Sequence, residues 1–226
     1  MRIINNPQVN KQHYSFDFYS SERRFLSYYH QVKNIMYFID HKNARKILII
    51  GKGDGVVQKI LEAYSELGNL NLIIKTFDFA EDLHPDILGD LVQINNLIKE
   101  KFDVILCCQV LEHLPINEAF LVLDQMQQIS KYVIMSVPYK TITIRGTIKV
   151  PLLKEFEFCI KVPIWHQKKI GMVDTRHYWE LGFSKSVSDF KKELNKIGFN
   201  IISSYTLKKD GFKYFLILES GKFIYG

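Results

Sequence analysis

The sequence contains little arginine for its positive charge: 24 of the 30 basic residues are lysine and six are arginine, scattered along the chain. The formal net charge of +6 at pH 7 by itself favours a nucleic-acid partner. Arginine, however, is the side chain that best matches phosphate groups and base edges, through its planar fork of donors. The composition therefore argues against a dedicated nucleic-acid surface, and a nucleic-acid partner is the less favoured alternative.

The sequence also lacks a long apolar run and has only three cysteines. No segment approaches the ~18 consecutive apolar residues that a membrane-spanning helix needs. The first residues, MRIINNPQVNKQ, contain no apolar block of signal-peptide length. Cys107, Cys108 and Cys159 lack the spacing of a metal site, and two of them lie in an apolar stretch where buried reduced thiols are expected. These features predict a cytoplasmic protein without a membrane span.

What the sequence does contain is an alternation of apolar runs and amphipathic segments over 226 residues, a length that fits a single domain, 1–226. Strands are predicted at 46–50, 71–78, 102–108 and 132–138. Helices are predicted at 21–40, 117–129 and 186–197, and a further one begins near Val57 and ends at Gly68. The segments 199–207 and 212–219 are predicted to form a hairpin. The last helix begins with a capping box, Ser186 with Asp189. This order predicts an α/β fold: a doubly wound, mainly parallel sheet with a C-terminal antiparallel hairpin.

Two segments stand apart from this alternation. Residues 1–45 precede the first strand and are predicted to form an N-terminal helical cap, whereas residues 139–183 have irregularly spaced aromatic residues and no sustained period. A segment of this length within an ordered fold is more often functional than a free linker. We therefore expect 139–183 to be an insertion that covers the substrate.

A glycine-rich stretch, Gly51-x-Gly53-x-Gly55, lies between the first apolar strand and the helix that follows it. Glycines let backbone N–H groups approach a ligand closely, and the N-terminus of a helix favours a negative group. The dinucleotide pattern requires a glycine where Val56 stands, and the glycine-lysine-serine/threonine ending of a Walker loop does not follow. The stretch indicates a ligand site, with a purely structural tight turn as the alternative.

Two aspartates follow predicted strands beyond this loop. Asp78 ends the second strand, where its carboxylate can accept hydrogen bonds from both hydroxyls of a ribose at ~1.5–3 kcal/mol each. Asp90 ends the short segment PDILGD and can accept from an adenine amino group. For either residue alone, a role in capping a turn or a helix is the alternative.

With these residues in view, the sequence resembles the class I S-adenosylmethionine-dependent methyltransferases, and HYWELG at 177–182 is similar to a bacterial subgroup of them. The resemblance is carried by GKGDG after an apolar strand, by Asp78, and above all by FDVILCCQVLEHLP at 102–115. It implies their Rossmann-like fold with a seven-stranded sheet, and S-adenosyl-L-methionine as cofactor. The family usually has an acidic residue two positions before the first glycine, where this sequence has Ile49, and Asp54 is the nearest carboxylate in the loop.

The resemblance also implies a set of cofactor-binding residues. These are Gly51, Gly53 and Gly55 at the methionine part, Asp78 at the ribose, Asp90 and Leu91 at the adenine, Gln109 and Val110 beneath the substrate, and Tyr28, with Tyr29 and Gln31, on an N-terminal helix that closes over the methionine.

Methyl transfer from a sulfonium is an in-line displacement, so the enzyme mainly aligns its acceptor and excludes water. A hydroxyl acceptor also needs a general base, for which His113 and His177 are the candidates because the ordinary pKa of histidine is ~6.5. For His113 the alternative is an orienting hydrogen bond in its loop, and for His177 a packing or capping role. The chemistry requires no metal, and the spacing of His166, Asp174, His177 and Glu180 is not diagnostic of one, so we expect none.

The favoured function is therefore methyl transfer to a small molecule, such as a saccharide hydroxyl or a lipid-linked intermediate. Two alternatives stay open. The net charge of +6 leaves an RNA or protein substrate, and Ile49 at the usual acidic position leaves a non-catalytic binding protein with the same fold.

Overall fold

The computed structural model describes residues 21–149, 156–163, 176–207 and 212–224. Its helices are α1 (Glu22–Lys42), α2 (Val56–Leu67), α3 (Ile94–Leu97), α4 (Ile116–Ile129) and α5 (Val187–Lys196). Its strands are β1 (Lys46–Ile50), β2 (Ile73–Asp78), β3 (Ile87–Leu88), β4 (Phe102–Cys108), β5 (Ser130–Pro138), β6 (Thr141–Ile148), β7 (Phe156–Pro163), β8 (Phe199–Thr206) and β9 (Lys213–Ser220). Short 3-10 helices lie at Glu81–Leu83, Leu91–Gln93 and Leu111–His113.

Seven strands form one sheet in the order β3-β2-β1-β4-β5-β9-β8. The first five strands in this order are parallel to one another. Strand β9 runs antiparallel to both β5 and β8. The predicted doubly wound, mainly parallel sheet with a C-terminal antiparallel hairpin is confirmed. Because β2 and β4 flank β1 on opposite sides, the strand order reverses there, and open α/β sheets bind ligands at the carboxyl ends of strands at such a point.

The continuous apolar run of β1 reflects burial on both faces of the sheet. Ile47 and Ile49 face the side covered by α1 and α2, whereas Leu48 and Ile50 face the side covered by α4 and α5. All four side chains are buried, and each burial contributes ~1.5–3 kcal/mol to the free energy of folding. The sheet is thus fixed from both sides, which gives its carboxyl edge a rigid base.

Helix α1 confirms the predicted N-terminal helix and gives the reason for its limits. Ser21 caps its start by accepting a hydrogen bond from the backbone N–H of Arg24, and Asn43 ends it in the left-handed conformation with φ of 54°. Its buried face includes Ile35 and Phe38, at the helical spacing seen in the sequence. This face packs on the same side of the sheet as α2.

The 139–183 segment contains regular structure that the sequence analysis did not predict. Strands β6 and β7 pair antiparallel in a separate two-stranded sheet, with Thr141 opposite Pro163 and Ile148 opposite Phe156. Several apolar side chains of this hairpin, including Ile144 and Phe156, are more than half exposed. The covering of a substrate by 139–183 stays a prediction.

The cysteines and the helices bear on two further predictions. Cys107 and Cys108 are free thiols, and burial raises the pKa of Cys108 to about 12 and that of Cys107 well above its ordinary value. Cys107 is buried, as predicted, whereas Cys108 at the end of β4 is half-buried. Among the described residues, no helix has both the length and the apolar character to cross a membrane.

Candidate functional site

The glycine loop occupies the turn between β1 and α2. Gly51, Gly53 and Gly55 all have left-handed backbones, with φ of 78°, 58° and 73°. A β carbon on Gly51 would lie 2.4 Å from the Cγ2 atom of Val110. Val110, just after β4, therefore packs against Gly51 as one wall of the loop, whereas a β carbon on Gly55 would meet nothing within 4 Å, so the loop is open on that side; we call it the glycine hollow.

Asp78 lies at the tip of β2 and is bonded to this loop. Its Oδ2 atom accepts a hydrogen bond of 2.8 Å from the backbone N–H of Lys52, and its Oδ1 atom accepts one of 3.0 Å from the N–H of Ala80. Burial raises the pKa of the Asp78 carboxyl, and the backbone hydrogen bonds act in the opposite direction. The backbone N–H groups of Phe79 and Gly53 act on the carboxylate in the same way, so it is held by both the glycine loop and its own turn.

Asp90 and Leu91 lie just beyond β3. The Asp90 Oδ1 atom accepts a hydrogen bond of 3.0 Å from the backbone N–H of Val92, which caps the 3-10 helix that Leu91 begins. Leu91 is buried in the core below. The structure therefore gives Asp90 the capping role named above as the alternative, and contact with an adenine stays a prediction.

Gln109 follows β4 in an unfavourable backbone conformation. Its φ is 58°, and a non-glycine residue held there costs about 1–3 kcal/mol. The backbone N–H of Gln109 donates to the carbonyl of Ser136 on β5 at 2.8 Å, which holds the turn in place. This turn presents Val110 to the glycine loop.

Helix α1 contacts the glycine loop through Tyr28. The buried Tyr28 hydroxyl donates a hydrogen bond to Oδ2 of Asp54, whose Oδ1 accepts from the backbone N–H of Val56 at 3.1 Å. By contrast, Tyr29 is largely exposed, and Gln31 donates to the hydroxyl of Ser27 on its own helix. Of the three candidates on α1, Tyr28 is thus the one bonded to the glycine loop.

A cluster of histidines and carboxylates lies after β4. The rings of His113 and His177 are 5.1 Å apart, and one ligand atom from each of Glu112, His113 and His177 lies within 4.8 Å of the others. The Nδ1 atom of His177 lies 2.7 Å from Oε1 of Glu180. Glu112 and Glu180 are fully buried, whereas both imidazoles are partly exposed.

Hydrogen bonds between two distant segments build this cluster. The backbone N–H of Tyr178 donates to the carbonyl of Glu112 at 2.8 Å, and the indole N–H of Trp179 donates to the carbonyl of Leu114 at 3.0 Å. Trp179 is itself buried in the core. The HYWELG stretch is therefore fastened to the LEHLP turn, which brings the two predicted histidines together.

No protein-family model matches the sequence, and no curated protein matches it significantly. Solved structures do match. Magnesium protoporphyrin IX methyltransferase from Synechocystis PCC 6803, with bound SAH, is 18% identical with a TM-score of 0.57, over 97% of this chain and 91% of that one. A SAM-dependent methyltransferase from Archaeoglobus fulgidus is 15% identical with a TM-score of 0.57, over 91% and 97%. The small RNA methyltransferase HEN1 is 13% identical with a TM-score of 0.55, over 85% of this chain and 25% of that one.

These matches agree with the mixed seven-stranded sheet of this chain. The chain has the class I S-adenosylmethionine-dependent methyltransferase fold. Within this methyltransferase fold, the glycine loop contacts both Asp78 and Val110, at the place where the resemblance predicts the cofactor. The roles of the individual residues toward a ligand stay predictions.

Two features of the methyltransferase site differ from the simplest expectation. Ile49, at the usual acidic position, is buried against α1 and α2, so its side chain lies in the core. Of the four residues whose spacing was weighed as a metal set, His166 and Asp174 lie outside the described residues. Glu112 is a member of the cluster that the sequence does not predict, because no pattern indicates that a glutamate next to His113 turns toward the same cluster.

Proposed function

We propose that this protein is an S-adenosylmethionine-dependent methyltransferase that acts on a small-molecule acceptor. The hydrogen bond between Asp78 and the backbone of Lys52 carries the proposal, because it joins a buried acidic strand tip to the glycine hollow. The matched methyltransferases with bound SAM or SAH support the choice of cofactor over other nucleosides.

The residues present fit this cofactor. The methionine part would lie along the backbone of Gly51, Gly53 and Gly55, where the loop is open beside Gly55, and Asp78 would accept hydrogen bonds from the ribose hydroxyls. Asp90 and Leu91 would flank the adenine, and Gln109 would line the floor beneath the acceptor. Tyr28, bonded to Asp54, holds α1 over the loop and would exclude water from the methionine end.

S-adenosylmethionine, when bound, supplies a methyl group that is already electrophilic. The remaining task of the chain is to place the acceptor in line and to assist loss of its proton. We propose that His113 and His177 act on the acceptor, since they meet in one partly exposed cluster on the sheet edge that carries the glycine loop. Glu180 orients His177 through its Nδ1 atom.

The acceptor that fits this arrangement best is a small molecule with a hydroxyl group, such as a saccharide. We assign the single domain 1–226 an N-terminal cap at 1–45 and a substrate-covering insertion at 139–183. The exposed apolar side chains of the β6–β7 hairpin in that insertion, such as Ile144 and Phe156, suit an apolar part of the acceptor. We propose a cytoplasmic location, with which the two free thiols Cys107 and Cys108 are consistent.

Calorimetric titration of the full chain with S-adenosylmethionine and S-adenosylhomocysteine tests the proposal. We expect one molecule of either compound to bind per chain at micromolar concentration. Absence of binding by both at millimolar concentration would refute it and would favour the non-catalytic alternative.

RNA is the second candidate acceptor, favoured by the net charge of +6 and by the match to a small RNA methyltransferase. An RNA substrate predicts binding that weakens steeply as salt is raised, because contacts to phosphates release counterions. The scarcity of arginine argues for the small molecule instead.

A further inference from the structure

The cluster of Glu112, His113 and His177 has the composition of a catalytic metal site. One ligand atom from each residue lies within 4.8 Å of the other two. Two imidazoles and one carboxylate, with further positions open to water or substrate, are a set that catalytic zinc sites and non-haem iron(II) sites use. The spacing of these residues along the chain gives no such signal, because His177 comes from a different segment.

The contacts of both imidazoles define which nitrogen can coordinate. The Nδ1 atom of His177 lies 2.7 Å from the buried carboxylate of Glu180, and Nδ1 of His113 lies 3.4 Å from the carbonyl of Arg176. Each oxygen is an acceptor and therefore favours the tautomer with its proton on Nδ1. That tautomer carries its lone pair on Nε2. A carboxylate behind a histidine in this way is the usual support of a histidine that binds a metal.

The three side chains are also held near one another before any ion arrives. Glu112 and His113 belong to one 3-10 helix, and the backbone N–H of Tyr178, next to His177, donates to the carbonyl of Glu112. A tetrahedral ion with bonds of ~2.0–2.1 Å keeps its ligands ~3.4 Å apart. Side-chain movements of about 1 Å would therefore close the cluster around an ion.

The cluster is buried on its carboxylate side and open on its imidazole side. Glu112 and Glu180 are both 0% exposed. The imidazoles are partly exposed, so an ion between them could also reach a ligand from solvent.

We propose that Glu112, His113 and His177 bind a divalent first-row transition-metal ion, such as Zn²⁺, Mn²⁺ or Fe²⁺, and that Glu180 positions His177. The imidazole pair makes Mg²⁺ and Ca²⁺ poorer occupants, because these ions prefer oxygen ligands. The proposal revises the expectation, drawn from sequence, that the chain holds no metal. Its consequence for catalysis rests on the proposed function: an open coordination position would hold an acceptor oxygen, so the two histidines would act through the ion.

Binding of Zn²⁺ alone and of Co²⁺ alone to the metal-stripped full chain tests the proposal. We expect one ion per chain and a Co²⁺ absorption spectrum typical of nitrogen and oxygen ligands. H113A and H177A should each lower the affinity for Zn²⁺ by at least ~100-fold, and E180Q, which keeps the shape of the side chain, by ~10–100-fold. H41A removes an exposed histidine of α1 and should leave the affinity unchanged.

Failure of the wild-type chain to bind either ion stoichiometrically would overturn the proposal, whether or not the variants fold. Equal Zn²⁺ affinity in folded E180Q, H177A and the wild type would also overturn it. Titration with S-adenosylhomocysteine separates this outcome from failure of the proposed function. A chain that binds the ion but not the cofactor keeps the metal site and loses the methyltransferase assignment, whereas the reverse keeps the assignment and loses the metal.

Discussion

Gly51 and Gly55 differ in one respect that a substitution can measure. Both have left-handed backbones, but a β carbon on Gly51 would meet Val110 at 2.4 Å, whereas one on Gly55 would meet nothing within 4 Å. We expect G55A to lower the free energy of unfolding by about 1–2 kcal/mol from backbone strain alone, and G51A by about 2–4 kcal/mol because overlap with Val110 is added. Denaturant unfolding of both variants checks this difference.

The double variant G51A/V110A is the control for that comparison. It removes the overlap with residue 110 and leaves the backbone strain at residue 51. Its free energy of unfolding should therefore lie below that of V110A by about as much as that of G55A lies below that of the wild type. Equal losses in G51A and G55A would show that Val110 does not form the wall of the hollow.

The ionisation of the Asp78 carboxyl should make cofactor binding depend on pH. Burial raises the pKa of its carboxyl above the ordinary 3.8, so the carboxyl takes up a proton at a higher pH in the folded chain than in the unfolded one. Its contribution to stability is therefore fully present below 3.8 and is lost as the pH rises through the raised pKa. Binding follows the opposite trend, because ribose hydroxyls need the ionised carboxylate.

We accordingly expect the affinity for S-adenosylhomocysteine to fall on acidification at a pH above 3.8, within the range where the chain stays folded. D78N should bind more weakly at neutral pH and lose this pH dependence. Calorimetry across the acidic range checks both points, and an identical pH profile in D78N would assign the dependence to another group.

At the scale of elements, the capping box of α5 offers the sharpest test. The Ser186 hydroxyl accepts from the backbone N–H of Asp189 at 3.0 Å and donates to the Asp189 carboxylate at 2.8 Å. S186A should lower the free energy of unfolding by ~1 kcal/mol, because the helix start loses its cap. S188A removes a hydroxyl from the exposed surface of the same helix. It should change the free energy of unfolding by less than ~0.5 kcal/mol. Equal effects in thermal unfolding would contradict the capping role.

The same elements show what the sequence could and could not predict. Helix α5 and strands β1 and β4 were predictable because long apolar patterns with clear end signals leave little choice of structure. Strands β6 and β7 were missed, although TITI at 141–144 alternates as a strand does. Their hairpin pairs with no other strand of the described residues. The sequence on either side of it has no sustained period, which obscured the alternation.

The candidate site was predictable to the extent that sheet topology determines it. Asp78 and Gly51 had to meet, because they follow neighbouring parallel strands of the sheet. The meeting of His113 with His177 depends on backbone hydrogen bonds such as that from Tyr178 to Glu112. No periodicity encodes such a contact between distant loops, so the two histidines were predictable only as separate candidates.

At the scale of the whole molecule, the charge of the chain distinguishes the two classes of acceptor. Six arginines among 30 basic residues predict only non-specific attraction to RNA. We expect a labelled single-stranded RNA to bind no more tightly than ~10⁻⁴–10⁻⁶ M at physiological salt, the range of non-specific binding. Fluorescence anisotropy checks this value. Nanomolar binding with a steep salt dependence would favour the RNA methyltransferase alternative.

The central claim is that Asp78 and the glycine hollow together hold a nucleoside. Titration of S-adenosylhomocysteine into D78A, with D82A as a control that removes an exposed carboxylate nearby, tests it most directly. Loss of two hydrogen bonds to a carboxylate, at ~1.5–3 kcal/mol each, predicts that D78A binds at least ~100-fold more weakly than the wild type. D82A should bind like the wild type. Wild-type affinity in a folded D78A would contradict the account.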